Sequence, residues 1–232
     1  MIGIIGRASL LDTRFVGKVR REHIENRYGR VLILRGDGFV FIPRHGAGKE
    51  IPPHRINYKA NIATFKDNDI ENIVGINSVG SLKKRLKVGF IIVPNDYMSL
   101  CNIPTYFDSR AVHITPKLDE DLRRIIIRNA KELNLNVIEN GVYFQTHGPR
   151  LETKAEIRFI RDYADVVGMT MASEATLANE LGLKYASICT IDNYAHGIVD
   201  EELNFEEVVK RASKGRDALK MLLKNIITEL NR

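Results

Sequence analysis

The chain has 232 residues, of which 44% are hydrophobic and 28% charged, and its 35 basic against 29 acidic side chains leave a formal charge of +6. That length can bury a sizeable core, and no apolar run reaches the span of a bilayer, so no membrane is expected as a partner. The positive excess is spread through mixed-sign segments and gathers only at 83–87 ("KKRLK"). It reads as a solvated surface that attracts small anions, and no nucleic acid is expected.

The opening "MIGIIGRASLLD" has no basic region ahead of its apolar run and no small-residue cleavage pattern, so it predicts a first strand at 2–5 and not a signal peptide. Without an export signal the expected location is cytoplasmic, with Cys101 and Cys189 as reduced thiols outside any metal-ligand spacing. Short β-branched or aromatic runs predict further strands at 31–34, 39–42, 72–76, 90–93, 142–145, 165–168 and 185–191. Their lack of alternation suits strands covered on both faces.

Between several of these runs lie helical patterns. The stretch 56–67 sets Ile56, Ala60, Ala63 and Phe65 toward one side, and 118–134 is longer and more amphipathic. At 153–163 the helix opens on Thr153 and Glu156, spaced as a capping box, and 173–182 ends at Gly182. The last pattern, 204–231, opens on Asn204 and Glu207 and carries Leu219, Leu222, Leu223 and Ile226 on its apolar side, with Gly215 as a weak point. Strands alternating with helices indicate an α/β fold, read as a single domain over 1–232 because no linker, repeat or composition break appears.

In open α/β sheets, ligands gather beyond the carboxyl ends of strands. Four such ends carry polar residues: Arg44 and His45, Asn77 and Ser78, Met169 and Thr170, Asp192 and Asn193. A guanidinium fork, an imidazole, hydroxyls and loop N–H groups together suit an oxyanion, although each alone is equally at home in a turn or cap. Phosphate-loop, dinucleotide, paired-cysteine, H-E-x-x-H and G-x-S-x-G patterns are all missing, which argues against kinases, dehydrogenases, zinc hydrolases and serine hydrolases. No metal site is expected from the scattered histidines.

The segment "PRHGAGKEIPPHRINYKANI" (43–62) closely resembles the trimeric purine nucleoside phosphorylase and methylthioadenosine phosphorylase family. The resemblance continues through "INSVGSLKKRLKVGFIIVPNDYM" (76–98), "GVYFQTHGPRLETKAEIRF" (141–159) and "ADVVGMTMASEATLANELGLKYASICTIDNY" (164–194). It implies one α/β domain with a mixed, twisted central sheet flanked by helices. It also implies phosphorolysis of a purine nucleoside to free base and pentose 1-phosphate, as in purine salvage, with inorganic phosphate as co-substrate and no cofactor.

Carried over by position, the resemblance has Arg44, His45, Ser78 and Thr170 hold phosphate, with Asn77 nearby and Ser9 in the first loop. Asn193, Glu152 and His45 would stand at the chemistry. Met169 would pack along the sugar, Leu151 would cover the base, and Tyr194 and Ala195 would follow Asn193 along the substrate. His113 would reach a neighbouring subunit's site, so a homotrimer or dimer of trimers is expected.

Adenine-acting members generally carry G-P-R-F-S and T-D-Y-D. Here "GPRLE" puts Glu152 in place of the serine, and "DNYA" puts Asn193 and Ala195 in place of the two aspartates. That pairing matches members acting on 6-oxopurines. A 6-oxopurine offers N1–H to a carboxylate and O6 or N7 to an amide donor, whereas adenine would set an ionised Glu152 against a lone pair, a mismatch costing on the order of a few kcal/mol.

The chain departs from the pattern in its first loop, where I-G-G-[ST]-G becomes Ile5-Gly6-Arg7-Ala8-Ser9. Asp192 precedes Asn193, so a one-residue shift would return an aspartate to the base. The short segment after Tyr194 offers His196 to a 5′-hydroxyl, or Ile198, Leu203 and Phe205 to a methylthio group, which leaves methylthioinosine open as a substrate beside inosine and guanosine. Other functions to weigh are S-methyl-5′-thioadenosine phosphorolysis, phosphate-independent nucleoside cleavage, and nucleoside binding without turnover.

Overall fold

The computed structural model describes residues 1–10, 18–48, 50–100, 102–200 and 216–231, the side chains of Ser9 and Arg216 aside. Cys101, Leu203, Asn204, Phe205, Glu207, Gly215 and the Ser9 hydroxyl therefore lie outside it. Strands β1 (Ile2–Gly6), β2 (Arg20–Asn26), β3 (Gly29–Gly36) and β4 (Phe39–Pro43) lead into helix α1 (Tyr58–Asp67). Then come β5 (Asn72–Ser81), β6 (Ile91–Ile92), β7 (Asp96–Ser99), α2 (Glu120–Glu132), β8 (Val137–Ile138) and β9 (Val142–Gln145). The chain ends with α3 (Lys154–Ile160), β10 (Val166–Gly168), α4 (Met171–Glu180), β11 (Lys184–Tyr194) and α5 (Arg216–Leu230).

All these strands join one mixed sheet. Its main path runs β2-β3-β4-β1-β5-β10-β9-β7, and β11 lies on the other side of β5 and connects through β6 to β8. The central strands are buried on both faces, as their unbroken apolar runs require. On one face Ile5, Ile42, Ile73 and Cys189 pack with α1 and α4 through Phe65, Met171 and Ala175. On the other, Ile4, Phe41, Val74 and Ile188 pack with α2 and α5 through Leu122, Ile126, Leu222 and Ile226. Leu219, Leu222, Leu223 and Ile226 are all buried, as their helical spacing predicts.

Several element bounds differ from the sequence reading for local reasons. Helix α1 starts two residues later than expected because the Asn57 side chain accepts from Ala60 N and caps it, leaving Ile56 buried just outside the helix. Helix α3 opens on the expected Thr153–Glu156 capping box but is shorter than read. Strand β2, "RREHIEN", escapes a search for apolar runs because it is half-solvated and pairs with β3 on one edge only.

The feature that makes a site is an interruption on one edge of β5. Strand β1 pairs with it in parallel as far as Ile5 opposite Gly75. Strand β10 reaches the same edge from the opposite end, antiparallel, with Val167 opposite Gly80. Residues 76–79 therefore face a gap between two strand ends, while on their other edge β11 stays paired throughout. Both β1 and β10 deliver their next residues, Arg7 on one side and Met169–Thr170 on the other, toward that opening.

Candidate active site

The gap is built around Arg44. Its backbone N–H donates to Gly6 O at 3.0 Å, tying the end of β4 to the end of β1. Its guanidinium, 2% exposed, donates Nε to Glu174 Oε1 at 2.6 Å and Nη2 to Glu174 Oε2 at 2.9 Å. The same group donates Nη1 to Ile76 O at 2.6 Å and Nη2 to Ile5 O at 3.0 Å. A guanidinium carries five N–H groups, so one Nη1 hydrogen remains beside the Ile76 carbonyl, at the gap. Successive N–H and C=O groups of a strand face alternate edges, so the Ser78 amide faces the same opening as Ile76 O.

Glu174 accepts a third hydrogen bond, from the Tyr185 hydroxyl at 2.8 Å. Both of its oxygens are acceptors, which is the ionised form. Burial pushes its carboxyl up, and Arg44 and Tyr185 pull it back. Burial likewise opposes the charge on Arg44, but the adjoining carboxylate holds the guanidinium above its ordinary value. Gly75 makes this network possible, because a Cβ there would stand 2.0 Å from the Tyr185 hydroxyl. Glu174 is a residue the sequence reading missed. Its signal was an acid on the apolar stripe of a helix, in line with Met171, Ala175 and Ala178.

Asn77 and Thr170 meet across the gap, as the opposed directions of β5 and β10 require. Thr170 Oγ1 donates to Asn77 Oδ1 at 2.7 Å, and Asn77 Nδ2 donates to Ser187 Oγ at 2.7 Å. Asn77 thus orients the threonine hydroxyl from behind. His45 Nδ1 lies 2.9 Å from Ile51 O. A carbonyl can only accept, so Nδ1 carries the hydrogen and Nε2 keeps a lone pair. Burial, and then the charge of Arg44, bring the His45 pKa down to about 4, with Arg7 adding to the effect.

That depression has a consequence for stability. Between pH 6.5 and 4 the unfolded chain takes up a proton that folded His45 refuses, so this contribution is complete above pH 6.5 and lost as pH falls toward 4. The urea midpoint is expected to drop between pH 7 and pH 4.5, and to drop less in His45→Gln. Equal losses in the two proteins would contradict the assignment.

Ser78 lies on the neighbouring face of β5 and hydrogen-bonds Asp192. Strand β11 contains a bulge there: Ile191 stands opposite Val79 and Asn193 opposite Gly80, so Asp192 is the extra residue. Its carboxyl accepts from Thr190 Oγ1 at 3.3 Å. Burial raises its pKa, against Ser78 and the charge of Arg7. Arg7 itself is half-buried, its guanidinium lowered by burial, restored in part by Asp192 and opposed by Arg44.

Asn193 lies on the far side of the bulge, against Gly80, and its Nδ2 donates to Tyr194 O at 2.8 Å. Gly80 pairs with Val167 of β10, and the next residue, Gly168, accepts from Thr146 N at 2.8 Å. Thr146 Oγ1 donates to Glu152 Oε1 at 2.6 Å. These links bring Asn193 and Glu152, forty-one positions apart in sequence, to one end of adjacent strands. Among the described residues Oε2 of Glu152 has no hydrogen-bond partner. The Glu152 loop is braced by the Thr153–Glu156 box and by Arg150, whose guanidinium pairs with Glu156 at 2.7 and 2.8 Å.

A cavity of about 410 Å³ opens beside Glu152 and Phe159, and a second of about 300 Å³ beside Met169 and Tyr58; Gln145, Thr146 and His147 line both. Gly148, at φ +69°, lets the loop between β9 and α3 approach Met169, since a Cβ there would stand 2.6 Å from its Sδ. Leu151 is exposed, and Ala195 and Ile198 are buried against Leu82 and Ile157. Tyr194 is half-buried, with its hydroxyl on Lys84 O. His196 is exposed beyond the end of β11, and His113 is exposed on the segment between β7 and α2. Among the described residues no group of three or more His, Cys, Asp or Glu could hold a metal ion.

A family model described as "Phosphorylase superfamily" matches residues 8–228. The chain is 43% identical to a probable 6-oxopurine nucleoside phosphorylase of Archaeoglobus fulgidus, across 96% of this chain and 94% of the relative. It is 39% identical to a probable S-methyl-5′-thioinosine phosphorylase of Methanocaldococcus jannaschii, across 98% and 92%. Its fold is similar to that of a mutant adenosine/methylthioadenosine phosphorylase from Schistosoma mansoni in complex with methylthioadenosine, with a TM-score of 0.89, 26% identity and coverage of 99% and 91%.

Proposed function

The chain belongs to the phosphorylase superfamily, and from that premise and the strand-end geometry we propose that it cleaves 6-oxopurine nucleosides with inorganic phosphate. Inosine, guanosine and methylthioinosine fall in this class, and the products are free base and pentose 1-phosphate. The observation that carries the reading is the run of contacts from Glu152 through Thr146, Gly168 and Gly80 to Asn193, which sets the carboxylate and the amide at one end of adjacent strands. With Thr146 occupying Oε1, Oε2 of Glu152 is the acceptor for N1–H of a lactam-type base. The Asn193 amide, which spends one Nδ2 hydrogen on Tyr194 O, has a second to donate to N7 or O6.

As the glycosidic bond lengthens, negative charge grows on the base and positive charge on the sugar. A donor aimed at the N7 side binds more tightly as that charge develops, so Asn193 favours the transition state over the ground state. Phosphate in the gap lies under the sugar, stabilises the oxocarbenium-like carbon and bonds to C1′. The Ser78 amide and the remaining Nη1 hydrogen of Arg44 are the donors that would orient it, while the Thr170 hydroxyl, whose hydrogen goes to Asn77, would accept from the phosphate hydroxyl. His45, neutral near pH 7, offers Nε2 to a hydroxyl hydrogen of phosphate or ribose. Positioning and electrostatics supply the rate, without a covalent intermediate on the protein, and the scheme asks for no metal or organic cofactor.

The reading includes a cytoplasmic enzyme assembled as a homotrimer, or a dimer of trimers, in which exposed His113 reaches a neighbouring site. Among the described residues no helix is long and apolar enough to cross a membrane. Adenine-directed cleavage of S-methyl-5′-thioadenosine is the second reading, supported by the likeness to the Schistosoma mansoni structure and opposed by the carboxylate of Glu152. Base release from inosine, guanosine, methylthioinosine, adenosine and methylthioadenosine decides between them. Release is expected only with phosphate and faster from the three 6-oxopurines; release without phosphate would make the protein a nucleosidase.

A further inference from the structure

The cradle formed by Arg44, His45, Asn77, Ser78 and Thr170 has a charge deficit. Arg44 is neutralised by a bidentate carboxylate, Glu174, inside the protein, and His45 is held neutral at its site between burial and two guanidinium groups. Ser78, Asn77 and Thr170 are uncharged. A phosphate dianion entering the gap would find hydrogen bonds there but no net positive charge from any of these residues.

Among the described residues, the cation left at this opening is Arg7. Strand β1 ends at Gly6, whose carbonyl is held by Arg44 N, and the next residue emerges at the edge of β5 that β1 and β10 leave open. Arg7 is half-buried there, within electrostatic reach of Arg44, His45 and Asp192. Asp192 faces it from the opposite edge of β5, pushed out of register by the bulge in β11 and bonded to Ser78 and Thr190. An arginine and an aspartate thus stand on either side of the strand that lines the gap. Arg7 stands where the family pattern has glycine, and Asp192 stands where the adenine-acting pattern T-D-Y-D has threonine.

Resting on the phosphorolysis reading, we propose that Arg7 is the phosphate-binding cation of this protein and that Asp192 is its positioning carboxylate. Asp192 offsets the half-buried guanidinium while phosphate is absent. When phosphate arrives, the planar fork of Arg7 turns to two of its oxygens, and Ser78 and Thr190 continue to satisfy Asp192. The altered first loop is therefore an exchange of loop contacts for a mobile charge, and the aspartate is the counterpart that makes the charge tolerable.

The pair predicts a sign reversal. Arg7→Gln removes the cation and leaves a buried carboxylate beside an incoming dianion, so KM for phosphate is expected to rise at least tenfold, with a smaller change in KM for inosine. Adding Asp192→Asn to Arg7→Gln removes that repulsion and should recover at least a third of the lost affinity on a logarithmic scale. Arg7→Lys, which keeps the charge without the fork, should fall between native and Arg7→Gln. Binding is read independently as the rise in melting temperature produced by inorganic phosphate, which reports on variants that fold but turn over slowly. A phosphate KM within twofold of native in Arg7→Gln would overturn the proposal, and so would an absence of recovery in the double variant. Phosphate-independent base release by the native protein would instead overturn the phosphorolysis reading.

Discussion

Glu174→Gln is expected to lower folding stability by about 3–5 kcal/mol, the usual loss when one partner of a buried ion pair is removed. The substituted amide keeps one acceptor oxygen but turns an NH2 group toward a guanidinium and a tyrosine hydroxyl, all three of them donors. Arg44 would then be a cation, 2% exposed, with two carbonyls and half of its former carboxylate contacts. Because Ile5 O and Ile76 O are held by the same guanidinium, the loss spreads to the ends of β1 and β5 and to the gap between them. Urea unfolding should show a lower midpoint with an unchanged slope. Replacing both partners, as in Arg44→Met with Glu174→Leu, should recover part of the stability but none of the phosphate binding, since apolar groups tolerate burial and cannot orient an oxyanion. A loss below about 1 kcal/mol in Glu174→Gln would mean that the pair is not the anchor of the site.

This anchor illustrates where sequence reading stops. The strand ends that carry Arg44, Asn77, Thr170 and Asn193 were legible because each follows an apolar run long enough to be a covered strand. The Thr153–Glu156 cap was legible because capping is a local hydrogen-bond pattern with fixed spacing. Arg44 and Glu174 are 130 positions apart, and nothing local couples an arginine after one strand to an acid inside a distant helix. The interruption on β5 is equally invisible, because it arises from two strands meeting a third from opposite directions, and register between distant strands leaves no mark on spacing. The bulge at Asp192 is the sharpest case. Reading "TIDNY" alone, either Asp192 or Asn193 could be turned toward the base; an extra residue between Ile191 and Asn193 sends the aspartate to Ser78 and leaves the asparagine against Gly80.

Asn193→Asp is expected to move base preference away from 6-oxopurines. On the proposed reading the native amide donates toward O6 or N7 and Glu152 accepts from N1–H. A carboxylate at 193 would set two lone-pair-bearing groups against each other at O6, while the exocyclic amine of a 6-aminopurine would supply the missing donor. One charged hydrogen bond is worth about 1.5–3 kcal/mol, so the ratio of kcat/KM for inosine to that for adenosine should fall roughly 10- to 150-fold. Glu152→Ser alone should lower inosine cleavage by a similar factor, because Thr146 would lose the carboxylate it now orients at 2.6 Å and N1–H would lose its acceptor. Together the two substitutions remove both features that disfavour adenine, and the double variant is expected to prefer adenosine outright. Asp192→Asn serves as the register control: a residue bonded to Ser78 and Thr190 should alter the phosphate KM and leave the inosine-to-adenosine ratio where it was. If Asp192→Asn shifts that ratio and Asn193→Asp does not, the aspartate and not the asparagine reads the base.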